Sequence, residues 1–191
     1  MNINEITSVF KDNMLLCVSS YILGILLVYP KYSIVSIGIQ LVFLNVYVYW
    51  FHRLLHILPE YNMNFHIHWH HNKNLDIPKN VELLLEFFTN MSWFVYLILF
   101  QWLFNIEYLS TTLILFIGLW YSSIHTINFS VFNSNQHIIH HIERTYNYGP
   151  PCIDVLFGTF KEPEEKINSY EFVNGFFIFL ALFYIKPKFT L

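Results

Sequence analysis

The chain has 191 residues, 55% of them hydrophobic and 20% aromatic but only 12% charged, with a formal net charge of −3. Soluble domains carry roughly 25% charged side chains, so this composition excludes a disordered segment, a small disulfide scaffold and an ordinary water-soluble domain. No basic block points to nucleic acid, and Cys17 and Cys152 lie too far apart in sequence for a disulfide framework or a cysteine metal site.

A hydrocarbon core of about 30 Å needs roughly 20 apolar residues as helix. The first apolar run, residues 14–29, carries no charge and stops at Pro30-Lys31. It reads as a span and not as a cleavable signal, because it lacks a small-residue cleavage site and a second run, 32–51, follows at once. A further pair, 87–104 and 108–128, is separated only by Asn105, Ile106 and Glu107. Connections this short force antiparallel neighbours and predict two helical hairpins. The last run, 172–185, amounts to about 21 Å of helix, short for a span. It is expected as an interfacial or re-entrant helix, or as a short fifth span.

The expected fold is therefore all-α: a single membrane domain over 1–191, an integral-membrane bundle of about four transmembrane helices. Its polar cap is built from 52–86 and 129–170. With this topology Lys11, Arg53, Lys73, Lys79, Arg144, Lys161 and Lys166 fall on one side and only Lys31 on the other. The positive-inside rule makes the first side cytoplasmic.

All ten histidines lie between His52 and His141, and the topology puts them at that same end. His52 and His56 close the second span one turn apart on one helix face. His66, His68, His70 and His71 follow in the next loop; His125 closes the fourth span, and His137, His140 and His141 come soon after. A lone membrane histidine more often bonds a neighbouring helix than a metal, and a histidine-rich loop is often solvated surface. Convergence of four such groups changes that balance, because ionisable groups near hydrocarbon are costly and neutral imidazole is the commonest metal ligand near neutral pH. The number exceeds what one zinc needs and suits two metals. Imidazole accepts iron, zinc, copper or nickel. Neutral ligands leave the metal charge uncompensated, which calls for carboxylates behind them; Asp154, Glu143, Glu82 and Glu86 are candidates.

The blocks H-R-L-L-H at 52–56, H-I-H-W-H-H at 66–71, H-T-I-N at 125–128, Q-H-I-I-H-H-I-E-R-T-Y-N-Y-G at 136–149 and D-V-L-F-G-T-F at 154–160 resemble the fatty acid hydroxylase / sterol desaturase superfamily. The resemblance runs from about Phe43 to Phe160. It implies histidine-box enzymes holding two iron ions (Fe2+/Fe3+), with O2 as co-substrate, that oxidise an unactivated C–H bond of a membrane lipid in lipid biosynthesis. Carried over by position, the implied metal ligands are His52, His56, His70, His71, His125, His137, His140 and His141, with one more from the second box. There the family's H-x-x-H-H is altered: His66 gives H-x-x-x-H-H and His68 gives H-x-H-H. His66 is the preferred ligand for its greater reach, with His68 as its rival. Where some family members carry another histidine four residues after His125, this chain has Phe129, and Asn128 could serve through a water.

The resemblance also implies Asp154 and Glu143 behind the ligands and, for want of the haem-binding H-P-G-G, a separate electron donor such as cytochrome b5 with its reductase, or a ferredoxin. In a eukaryotic cell it implies the endoplasmic reticulum. Hydroxylation and desaturation both fit, as do a sterol C-4 or C-5 type oxidase or desaturase and a non-catalytic metal-binding relative. A metal transporter fits less well, since such sites sit near the bilayer midplane on broken helices. Y-N-Y-G-P-P at 146–151 is expected as a turn that folds the last histidine box under the bundle or touches substrate. Trp50, Trp93, Trp102 and Trp120 are expected as interface or packing residues.

Overall fold

The computed structural model describes residues 3–58, 66–71, 77–132, 135–162 and 171–185, without the side chains of residues 5, 68–70, 135 and 136. Among them there is no strand. The helices are α1 (Ile3–Asp12), α2 (Met14–Val28), α3 (Ile34–Ile57), α4 (Lys79–Leu103), α5 (Thr111–Ser123), α6 (Asn135–Ile142), α7 (Pro151–Phe157) and α8 (Glu171–Ile185), with π-helical segments at His66–His71 and Ile124–Val131. Three are long and apolar enough to cross a membrane: α3, α4, and α5 continued through its π-helical segment. A fourth candidate is α1 with α2, bent by 50°.

Local chemistry sets several of these ends. The Ser33 hydroxyl accepts from the Ser36 amide and starts α3, and Ser110 caps α5 through the Leu113 amide. Pro151 occupies the first turn of α7, and Gly158 ends it with a φ of +70°. The two expected hairpins form, α2 against α3 and α4 against α5. Their packing buries Leu27, Ile37, Leu44, Phe94, Leu113, Ile114 and Phe116 completely. Outward-facing Val35, Ile39, Val42, Tyr96, Phe100 and Trp102 stay exposed. So much contiguous apolar surface suits lipid, not water.

Two differences from the expected elements have physical causes. Helix α4 starts at Lys79, eight residues before the apolar run, because its buried Glu86 is bonded from the other side. Hydropathy alone stops at a charge that packing has satisfied. Helix α1, which no apolar run announces, is amphipathic and packs on α7. Helix α8 packs against α2 and α5, with its Trp120 contact so close that a Cβ on Gly175 would lie 2.3 Å from the indole. Lys73 and Lys166 lie outside the described residues. At the end of the bundle away from the histidines, Lys31 and Glu107 pair at 2.9 Å and join the two hairpin turns.

Candidate metal centre

Four elements deliver imidazoles to one end of the bundle. The last two turns of α3 carry His52 and His56, the segment His66–His71 passes beside them, the π-helical continuation of α5 carries His125, and α6 carries His137, His140 and His141. The Nε2 of His66 lies 2.9 Å from that of His52, 3.1 Å from that of His56 and 3.3 Å from that of His71. The His140 ring centroid is 4.6 Å from that of His52 and 4.7 Å from that of His56. These five offer ligand atoms within 4.8 Å of one another, and Glu86, His125 and His137 form a second such group. His141 sits between the two, with Nε2 2.8 Å from that of His137 and its ring 4.4 Å from that of His71.

The outer nitrogens explain where the inner ones point. His52 Nδ1 bonds the Tyr148 carbonyl, and His140 Nδ1 bonds the Tyr146 carbonyl at 2.7 Å. A carbonyl only accepts, so each Nδ1 carries the proton and each Nε2 presents a lone pair inward. Among the described residues the Nε2 of His140 is buried without a hydrogen-bond partner. Lone pairs turned inward by a bond at the other ring nitrogen are the arrangement that metal-binding imidazoles adopt. Burial and neighbouring imidazoles hold His66, His71 and His137 well below the ordinary histidine range, and burial takes His140 down to about 4. All four are neutral at pH 7, the protonation state a metal requires.

A family model for fatty acid hydroxylases matches residues 37–159. The chain belongs to the fatty acid hydroxylase family. No curated protein and no solved structure matches it.

In this hydroxylase-family chain the second box brings His66 and His71 into the cluster, while the side chains of His68 and His70 lie outside those described. Phe129 stacks on His137 with centroids 4.9 Å apart, so apolar packing fills the position where some members have a further histidine. Asn128 is buried, and its Oδ1 accepts from Asn174 of α8 at 2.7 Å.

Of the four carboxylates expected behind the ligands, one bonds an imidazole among the described residues. Among the described residues Asp154 has no hydrogen bond to an imidazole: it accepts from the Tyr148 and Gly149 amides and from Thr159 Oγ1 at 2.9, 3.0 and 2.8 Å. It thereby holds the turn whose carbonyls orient His52 and His140. Burial pushes Asp154 up to about 7 against these three hydrogen bonds. Glu143 follows His141 closely in sequence, yet it lies past the end of α6 and pairs with Lys161 at the rim. The carboxylate that reaches an imidazole is Glu86, 2.6 Å from His125 Nδ1.

Sequence reasoning also missed the carbonyls of Tyr146 and Tyr148. Their signal is Asn147 between them, held at a φ of +57°, with its side chain bonded to both the amide and the carbonyl of Lys161. An apolar cavity of about 480 Å³ opens beside the cluster, lined by His52, His125 and His137 and by α1, α2, α3, α5 and α7. Because Gly38 and His52 both line it, it runs about 21 Å along α3. Trp120 lines this cavity and packs α8, whereas Trp93 is buried against the rings of His52 and His66.

Proposed function

We propose that this chain is an integral-membrane di-iron oxygenase that hydroxylates or desaturates a C–H bond in a lipid chain. The single observation that carries the reading is the convergence of buried imidazoles whose outer nitrogens are committed to Tyr146, Tyr148 and Glu86. His52, His56, His66, His71 and His140 would hold one iron, and His125 and His137 the other, with His141 within reach of both groups. His70 completes the proposed set from the family pattern.

Bound iron supplies the O2-dependent oxidising chemistry that no side chain offers by itself. Hydroxylation puts one oxygen atom of O2 into the C–H bond and reduces the other to water. Desaturation removes two hydrogens and reduces both oxygen atoms to water. Either outcome consumes two electrons from an external donor and two protons. A separate small redox protein, cytochrome b5 or a ferredoxin, fits that need.

The chain's own residues position and exclude. Tyr146 and Tyr148 carbonyls keep the His140 and His52 rings turned inward. The elongated cavity suits an extended acyl chain better than a compact ring system, and its apolar walls limit water near the reacting carbon. The basic residues at the histidine end favour a cytoplasmic location for the site.

The test combines metal analysis with lipid analysis. Purified protein should contain two metal ions per chain, and His140→Ala should lose metal together with activity. Cells with the protein should contain lipids that have gained one oxygen or lost two hydrogens relative to cells without it. Full metal content and activity in His140→Ala would sink the ligand assignment, and an unchanged lipid profile would favour a non-catalytic relative.

A further inference from the structure

Of the carboxylates expected behind the ligands, Glu86 is buried and is held from two directions. Its Oε1 lies 2.6 Å from His125 Nδ1, and Ser130 Oγ lies 2.7 Å from both of its oxygens. Glu86 and His125 are 7% and 1% exposed, so this contact is shielded from solvent. On the same helix, Asn90 Nδ2 bonds the Glu86 carbonyl at 3.0 Å and fixes that turn of α4.

The winding of the chain opposite Glu86 has a purpose in this contact. In an α-helix, residues five apart point about 140° away from each other at 100° per residue. The segment Ile124–Val131 is π-helical, so residues five apart lie on one side. That winding lets His125 and Ser130 meet the same carboxylate. The other two orienting acceptors, the carbonyls of Tyr146 and Tyr148, are neutral and serve the five-histidine group. Glu86 therefore gives the His125 group a full negative charge that the other group does not receive from its carbonyls.

We propose that Glu86 is a positioning residue for one half of the metal centre: it holds His125 with Nε2 inward and makes metal affinity at the His125–His137 half depend on its charge. This rests on the metal-centre reading above. In this proposal Glu86 acts through His125, which bonds Oε1, with the Ser130 hydroxyl against both oxygens; direct ligation by Glu86, which also offers an oxygen to that group, is the alternative the experiment separates. A buried anion and a bound dication compensate one another here, since each alone would carry a large desolvation cost.

The experiment titrates the full-length, metal-free protein in detergent with Zn2+ against a competing chelator, using the wild type, Glu86→Gln and Ser130→Ala. The wild type should bind two equivalents. In Glu86→Gln one equivalent should keep its affinity while the other weakens roughly 10- to 100-fold. Ser130→Ala should weaken that same equivalent by a smaller factor, and it carries the test if the Gln variant does not fold. Rescue at saturating zinc is the signature of positioning: X-ray absorption of Glu86→Gln should then show the wild-type number of ligands. Unchanged affinity in both variants, equal weakening of both equivalents, or loss of one oxygen ligand at saturation would overturn the proposal. A wild-type chain that takes up no zinc defeats the metal-centre reading itself, and this inference with it, whereas two-site uptake unchanged by both substitutions overturns this inference alone.

Discussion

His52 and His140 owe their orientation to a turn that contains no histidine. Asp154 is fully buried, and each of its oxygens accepts a backbone amide, Oδ1 from Tyr148 and Oδ2 from Gly149. An asparagine there must set its NH2 group against one of those N–H groups. Above pH 7, where the carboxylate is ionised, Asp154→Asn should destabilise the protein by about 1–3 kcal/mol, the cost of a buried donor left unsatisfied. It should also weaken metal binding at the five-histidine group and spare the half that Glu86 serves. Thr159→Val removes a hydroxyl bonded to Asp154 and Tyr49 and should cost about 1 kcal/mol. Thermal unfolding in detergent measures both, and a wild-type midpoint for Asp154→Asn would mean that the turn stands without it.

The elements most legible in the sequence were those whose cause is local. Apolar length and the short links at residues 29–33 and 104–110 were enough for the two hairpins, and i,i+4 spacing was enough to pair His52 with His56. The π-helical winding after Ser123 was not legible, because it answers to Glu86 on another helix. The start of α4 was hidden for the same reason: a charge reads as an end until its partner is known. Helix α8 was recognisable as apolar but not as an element packed against α2 and α5. That packing gives an element-scale prediction. Gly175 faces Trp120, whose indole nitrogen donates to the Glu171 carbonyl at 2.8 Å. A larger side chain must push α8 outward and break that bond. Gly175→Leu should cost about 1–3 kcal/mol by overpacking. It should also raise protease sensitivity near α8; unaltered stability and digestion would show that α8 is not clamped by this contact.

Taken whole, the molecule joins an apolar bundle to a polar end whose buried ionisable groups are mostly imidazoles, and this makes its stability depend on pH and metal together. In the metal-free protein, folding keeps His66, His71 and His137 well below the ordinary histidine value and His140 at about 4. As pH falls below about 6.5, the unfolded chain takes up protons at these positions and the folded chain does not, so stability is lost. Asp154 works the other way: raised to about 7, it gains its proton on folding, which favours the fold as pH falls from there towards the ordinary carboxylate range. Four imidazoles oppose one carboxyl, so the net effect between about pH 6.5 and 4 is destabilisation on acidification. Bound metal requires neutral imidazoles, and in the folded chain these take up protons only near pH 4 and below, so protons displace the metal there. Chelation at pH 7 should therefore lower the unfolding temperature, and the gap between loaded and metal-free protein should hold until the pH nears about 4 and close below it. Unfolding curves recorded with and without chelator from pH 8 to pH 3 test both parts. A metal-free protein that gains stability on acidification would reverse the sign derived from the buried histidines, and a gap independent of pH would mean that the metal is not held by titrating imidazoles.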